Sequence, residues 1–235
     1  MTNSYDIAGV PIPDYGAAYA GVRVRTTELI RAATPAQHET IAAATPEWRV
    51  RDVLAHLAGV PADVLAGRVE GIASDAWTAA QVERNRRTPV EDVLDEWAET
   101  SATVEPMIAD FGTMAGQAIT DAATHEHDIR HALGAPGARD SDAVLIGSVW
   151  CAQWMGATVA EGTAGPLRIE TDLWSHTFGS GAPGTTLTTS AFELLRAATG
   201  RRSADQIEAY GWSGAARVDA VVLRIFVPRA TAFTG

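Results

Sequence analysis

The chain reads as an α+β protein, a helical bundle followed by a smaller α+β domain, on two observations. Over the first two-thirds, apolar residues recur every three to four positions between proline- and glycine-marked breaks. After Gly162 the pattern turns to alternation, with Leu167, Ile169, Thr171 and Leu173 as its first instance. The domains are therefore placed at residues 1–163 and 164–235, with the boundary falling near 162–166.

In order, residues 1–13 form an irregular lead-in with Pro11 and Pro13, and Asp14 caps a first helix running to about Ala33. Thr45-Pro46-Glu47-Trp48 opens a second helix with proline in its first turn. Its stripe is Val53, Leu57, Val60 and Val64, with His56 on the edge and Asp52 one turn before it. Pro61 is expected to bend or end it. Arg84-Asn-Arg-Arg87 reads as a solvated loop. Thr88-Pro89-Val90-Glu91 has capping-box spacing for a third helix, whose face is Val90, Leu94, Trp97, Ser101 and Val104. A fourth helix spans about Thr113 to Leu133 and stops at Gly134-Ala-Pro136. Asp140 or Ser141 caps a fifth, with Leu145, Ser148, Ala152, Met155 and Val159 in step and Cys151 as a small core residue. In the last third, strands are expected at Leu167–Leu173, at Thr185–Thr188 and, from the alternation of Val221, Leu223, Ile225 and Val227, at the end. Ser190 and Ser203 start two short helices.

Composition narrows the chemistry. A net charge of −11 over 235 residues argues against a nucleic-acid partner and against an anionic membrane surface. One cysteine allows no internal disulfide, no apolar run approaches ~18 residues, and no secretory signal is read, so a cytoplasmic protein is expected. No glycine-rich phosphate loop and no nucleophile elbow is present; Gly179-Ser-Gly181 is a turn.

The densest chemical stretch is Asp121-Ala-Ala-Thr-His125-Glu-His127-Asp128-Ile-Arg130-His131. On a helix, Asp121, His125 and Asp128 share the face of Ala118, Ala122 and Ile129. His127 and His131 fall on a stripe with Thr120 and Thr124 that reads as solvated. Catalytic zinc sites typically take three protein ligands and keep a position open. Asp121 and His125 supply two at helical spacing, and His56 is the histidine on another helix that faces inward. His38 falls in a loop and His176 in the α+β part. Asp52 could hold the second nitrogen of His56, and Asp128 could hold that of His125 or pair with an arginine. A single inward histidine is usually a hydrogen-bonded core residue; two on different helices, one with an acid one turn before it, are harder to dismiss, and spacing alone leaves a metal site and a core pair evenly balanced. Two neutral imidazoles and one carboxylate around a divalent ion leave one net positive charge, suited to a thiolate or hydroxide.

Trp48-Arg-Val-Arg-Asp52-Val-Leu-Ala-His56-Leu-Ala-Gly59, with Asp121-xxx-His125-xx-Asp128-Ile-xxx-Leu133-Gly134, resembles the metal-binding domain of mycothiol-dependent maleylpyruvate isomerases, within the DinB-like four-helix bundle group. Phe192-Glu-Leu-Leu-Arg196 through Gly200-Arg-Arg-Ser203 to Ile207 resembles the tail of actinobacterial members, so the likeness spans nearly the whole chain. It implies a divalent metal, usually zinc, on His56, Asp121 and His125, with mycothiol as cosubstrate. Asp121 departs from the pattern, which has glutamate there; it is one methylene shorter.

The expected activity is thus thiol-dependent transfer or isomerisation on a small electrophilic molecule. Arg130, and Arg201 or Arg202, are expected to clamp substrate carboxylates. Two other readings stay open. One is a hydrolase using metal-bound water, with Asp128 or Asp52 as base. The other is a non-catalytic small-molecule or metal-binding protein.

Overall fold

In a computed structural model, which describes Ile7 and residues 9–235, the chain is mixed α+β, helix-rich with one four-stranded sheet. The lead-in expected over residues 1–13 lies partly outside the described residues. The described chain clusters into two compact units. One holds residues 14–111 and 125–137; the other holds, among the described residues, Ile7, 9–13, 112–124 and 138–235.

The first unit begins with α1 (Tyr15–Ala32), whose cap is Asp14, its carboxylate accepting from Ala17 N at 2.7 Å. A single turn, α2 (Pro35–His38), follows under a capping box of Thr34 and Gln37. The next helix, α3 (Val50–Leu65), starts four residues later than Pro46 suggests, because Thr45 and Trp48 close a turn through Trp48 N to Thr45 O at 2.8 Å. Its N-terminus is held instead by Asp52, whose carboxylate accepts from Arg49 N at 2.9 Å. The helix is buried on nearly all sides from Val50 to Asp63, as fits an element packed against both α4 and α5. It runs through Pro61 without ending there.

A helix absent from the sequence reading, α4 (Asp75–Arg84), fills the stretch before the basic run, capped by Ser74. Arg84 belongs to this helix rather than to a loop. The helix after it, α5 (Val90–Val104), has Pro89 at its cap and makes no side-chain cap bond, so the Thr88–Glu91 box does not form. Its buried face is Val93, Leu94, Trp97, Ser101 and Val104. Trp97 is fully buried and donates from Nε1 to Tyr19 Oη at 3.2 Å, tying α5 to α1. A 3-10 turn over Glu105–Phe111 contains Pro106, and Arg23 holds it through Glu105 at 2.7 Å.

The helix α6 (Thr113–Leu133) matches the expected bounds and ends at Gly134, whose φ of 64° is the left-handed conformation that favours glycine. The unit division falls within it, between Thr124 and His125.

The second unit contains α7 (Asp142–Glu161), capped by Ser141. This helix is long and apolar enough to cross a membrane by composition, yet 56% of its apolar window is buried inside the protein, against α8 and β2. The sheet has order β2-β1-β3-β4, from β1 (Leu167–Glu170), β2 (Ser175–Phe178), β3 (Thr185–Thr188) and β4 (Gly211–Ser213). β1 runs parallel to β3, and the outer pairs are antiparallel. Leu167, Ile169 and Leu187 are fully buried on one face. α8 (Ala191–Ala198) and α9 (Ala204–Glu208) start at Ser190 and Ser203 as expected.

The expected final strand is not formed. Val218–Val221 is a helical turn, α10, and Leu223 N bonds to Ala198 O at 3.0 Å. Leu223 and Phe226 then close a turn, and Ile225 and Val227 stand 79% and 80% exposed. Alternation alone cannot make a strand where no sheet edge receives it.

Candidate metal centre

His56 lies in the second turn of α3, and Asp121 and His125 lie one turn apart on α6. One ligand atom from each of the three falls within 4.8 Å of the others, and among the described residues no other group of three such side chains is so placed. Ligands at 2.0–2.1 Å around a tetrahedral zinc sit about 3.3 Å apart, so small side-chain adjustments suffice for this set. The donors are two imidazoles and a carboxylate, the chemistry a catalytic zinc site uses. His56 and His125 are 3% and 7% exposed.

The two rings meet edge to face with centroids 5.0 Å apart. Trp48 stands beside both, at 5.5 Å from His56 and 5.8 Å from His125. Its indole places apolar surface beside both imidazoles. Trp48 stands in the sequence as a helix opener and as the first residue of the stretch that resembles the isomerase family; neither reading places its ring beside the two imidazoles.

Each imidazole is held from behind at Nδ1. His125 Nδ1 lies 3.1 Å from Asp128 Oδ2, the service expected of that acid. His56 Nδ1 lies 2.7 Å from Gln81 Oε1, and Gln81 Nε2 donates to Asp63 Oδ2 at 2.9 Å. Asp52 does not support His56, because Arg49 takes it. Burial works to raise the Asp52 carboxyl, but hydrogen bonds from the Arg49 side chain and backbone more than offset this and hold it below its ordinary value. With both Nδ1 atoms engaged, Nε2 is the nitrogen each ring presents to the cluster.

The rival stripe is not solvated. Thr120, Thr124 and His127 are all under 5% exposed, and only His131 at its end is exposed. α6 is buried all round from Ala122 to Ile129, so periodicity could not separate its faces.

The arginines have structural partners. Arg130 donates to Glu126 at 2.9–3.0 Å and to Ala135 O at 3.2 Å, and Arg25 grips the same fully buried Glu126 with two bonds. Arg202 makes a two-pronged bond to Glu193 at 2.6 and 2.8 Å, and its Nη1 donates to the carbonyls of Arg201 and Gly235. Arg201 Nη1 donates to Thr199 O at 2.7 Å.

No family model matches the chain, and no curated protein matches it in sequence. Among solved structures, the crystal structure of a histidine-to-alanine mutant of the mycothiol-dependent maleylpyruvate isomerase is similar. The TM-score is 0.56 with 11% identity, covering 86% of this chain and 92% of that one. At that identity the likeness is one of fold.

Proposed function

We propose that this protein is a metal-dependent enzyme that uses a low-molecular-weight thiol, mycothiol or a close analogue, in transfer or isomerisation on a small electrophilic substrate. The observation that carries the reading is the cluster of buried His56 and His125 with half-buried Asp121, in a fold shared with a mycothiol-dependent isomerase. His56, Asp121 and His125 would hold a divalent metal such as zinc, which when bound would supply the charge that keeps a thiol as thiolate at neutral pH.

The chain's own residues do the rest. His56 and His125 offer Nε2, with Nδ1 fixed by Gln81 and Asp128. Asp121 brings the negative charge that leaves the centre one net positive charge. Trp48 places apolar surface beside the two rings. Arg130, Arg201 and Arg202 are proposed to meet substrate carboxylates; given their existing bonds, this requires them to exchange partners on binding. The setting proposed is cytoplasmic, with no nucleic-acid or membrane partner.

The test is to load the protein with cobalt(II) and titrate it with mycothiol. A sulfur-to-cobalt charge-transfer band in the near ultraviolet, lost in His125→Ala, is expected. Turnover of maleylpyruvate should then require added mycothiol. An unchanged cobalt spectrum, with turnover of an ester or amide in the absence of thiol, would replace this reading with the hydrolase.

A further inference from the structure

Ten residues make up α4, and one of them, Gln81, is buried, with none of its surface exposed. Seating a helix needs only an apolar side chain at such a point, and a buried amide costs free energy unless every polar atom is paired. Here the pairing is directional. His56, Gly59 and Asp63 lie at i, i+3 and i+7 on α3, along one face. Gln81 lies across that face. A Cβ at Gly59 would come within 2.7 Å of Gln81 Cβ and Cγ, so the glycine is the space through which the glutamine reaches both neighbours.

Asp63, 2% exposed, accepts from Arg68 Nε at 2.6 Å and Arg84 Nη2 at 2.7 Å through Oδ1, and from Gln81 Nε2 at 2.9 Å through Oδ2. As a carboxylate it offers only lone pairs, so the amide must turn its NH2 towards Asp63 and its oxygen towards His56. An amide oxygen only accepts. The proton of a neutral His56 is therefore on Nδ1, and the lone pair is on Nε2.

We propose that Gln81, oriented by the Arg68–Asp63–Arg84 cluster, is a positioning residue that holds His56 in the Nδ1–H tautomer with Nε2 directed at His125 and Asp121. The geometry stands on its own. Its consequence, tighter metal binding, rests on the metal reading above.

The test uses full-length protein labelled with 15N-histidine, read by long-range 1H–15N spectra of the metal-free form and by zinc competition against a chromophoric chelator. Wild type should show His56 protonated at Nδ1. In Asp63→Asn the new amide donates to Gln81, whose own amide turns round and presents NH2 to the ring. His56 should then move its proton to Nε2, and zinc affinity should fall about 10–100-fold. Gln81→Met should weaken zinc comparably. Combining Asp63→Asn with Gln81→Glu restores an acceptor facing Nδ1, and should recover both the tautomer and the affinity. Wild-type tautomer and zinc affinity in both Asp63→Asn and Gln81→Met would overturn the inference while leaving the metal centre intact. A wild type that takes up no zinc would overturn the proposed function, and the tautomer shift in Asp63→Asn would still decide the role of Gln81.

Discussion

Gly59→Ala sets two effects of known size against each other. An interior helical glycine is about 1 kcal/mol worse than alanine, so propensity alone makes the substitution stabilising. The added Cβ, however, would stand 2.7 Å from both Cβ and Cγ of Gln81 and 3.2 Å from Cδ. These atoms are the stem of the glutamine, so its tip cannot absorb the clash by swinging away. Either α4 lifts from α3 or Gln81 leaves its rotamer, at about 1–3 kcal/mol for an overpacked core. The net expectation is a loss of about 0–2 kcal/mol. It should come with at least about tenfold weaker zinc binding, because the bond from Gln81 to His56 Nδ1 is disturbed. Urea denaturation of the metal-free protein followed by circular dichroism gives the first quantity, and chelator competition the second. A variant stabilised by the full propensity gain, with unchanged zinc affinity, would refute the packing argument.

Three further outcomes follow from other parts of the chain. Burial raises the Glu193 carboxyl, but its bonds with Arg202 and Tyr210 more than offset this and hold it below the ordinary value of 4.5. A depressed folded value means that the stability it contributes is full above the ordinary value and is lost as pH falls through the folded one. Wild type should therefore lose more of its urea midpoint on going from pH 6 to pH 3.5 than Glu193→Gln does; equal losses would remove Glu193 as a source of acid sensitivity. Cys151 is fully buried, and burial pushes its thiol well up; a disulfide reagent should label it only in denaturant, and rapid native labelling would contradict the core assignment. A fragment of residues 1–163 is proposed to stay helical and melt cooperatively. Since α7 packs on α8 and β2 in the full chain, a molten fragment would assign α7 to the C-terminal folding unit.

How much of this was legible depends on whether the signal was local. The end of α6 is written in Gly134 and Pro136, and the starts of α8 and α9 in Ser190 and Ser203, so they were readable. α4 was missed because a surface helix with one buried residue has no stripe to detect, and that residue is polar. The strands β2 and β4, four and three residues long, are defined by their partners β1 and β3 rather than by their own composition. Conversely, Val221 to Val227 has strand composition but no partner. At the site, His56, Asp121 and His125 could be picked out because ligating residue types at helical spacing are conspicuous. Gln81, Asp63 and Trp48 could not, since their roles arise only when α4 and the turn before α3 pack against the centre. Asp52 illustrates the opposite error, being correctly placed one turn from His56 yet claimed by Arg49 three residues before it.

The most direct measurement is the zinc content of the purified protein by elemental analysis, compared across ligand variants whose circular dichroism shows intact helices. One zinc per chain is expected in wild type and in the combined His127→Ala, His131→Ala variant. Less than a tenth of that is expected in His56→Ala and in His125→Ala, with an intermediate loss in Asp121→Ala. Full zinc in His56→Ala together with its loss in the His127, His131 variant would contradict the account and move the centre to the other stripe of α6.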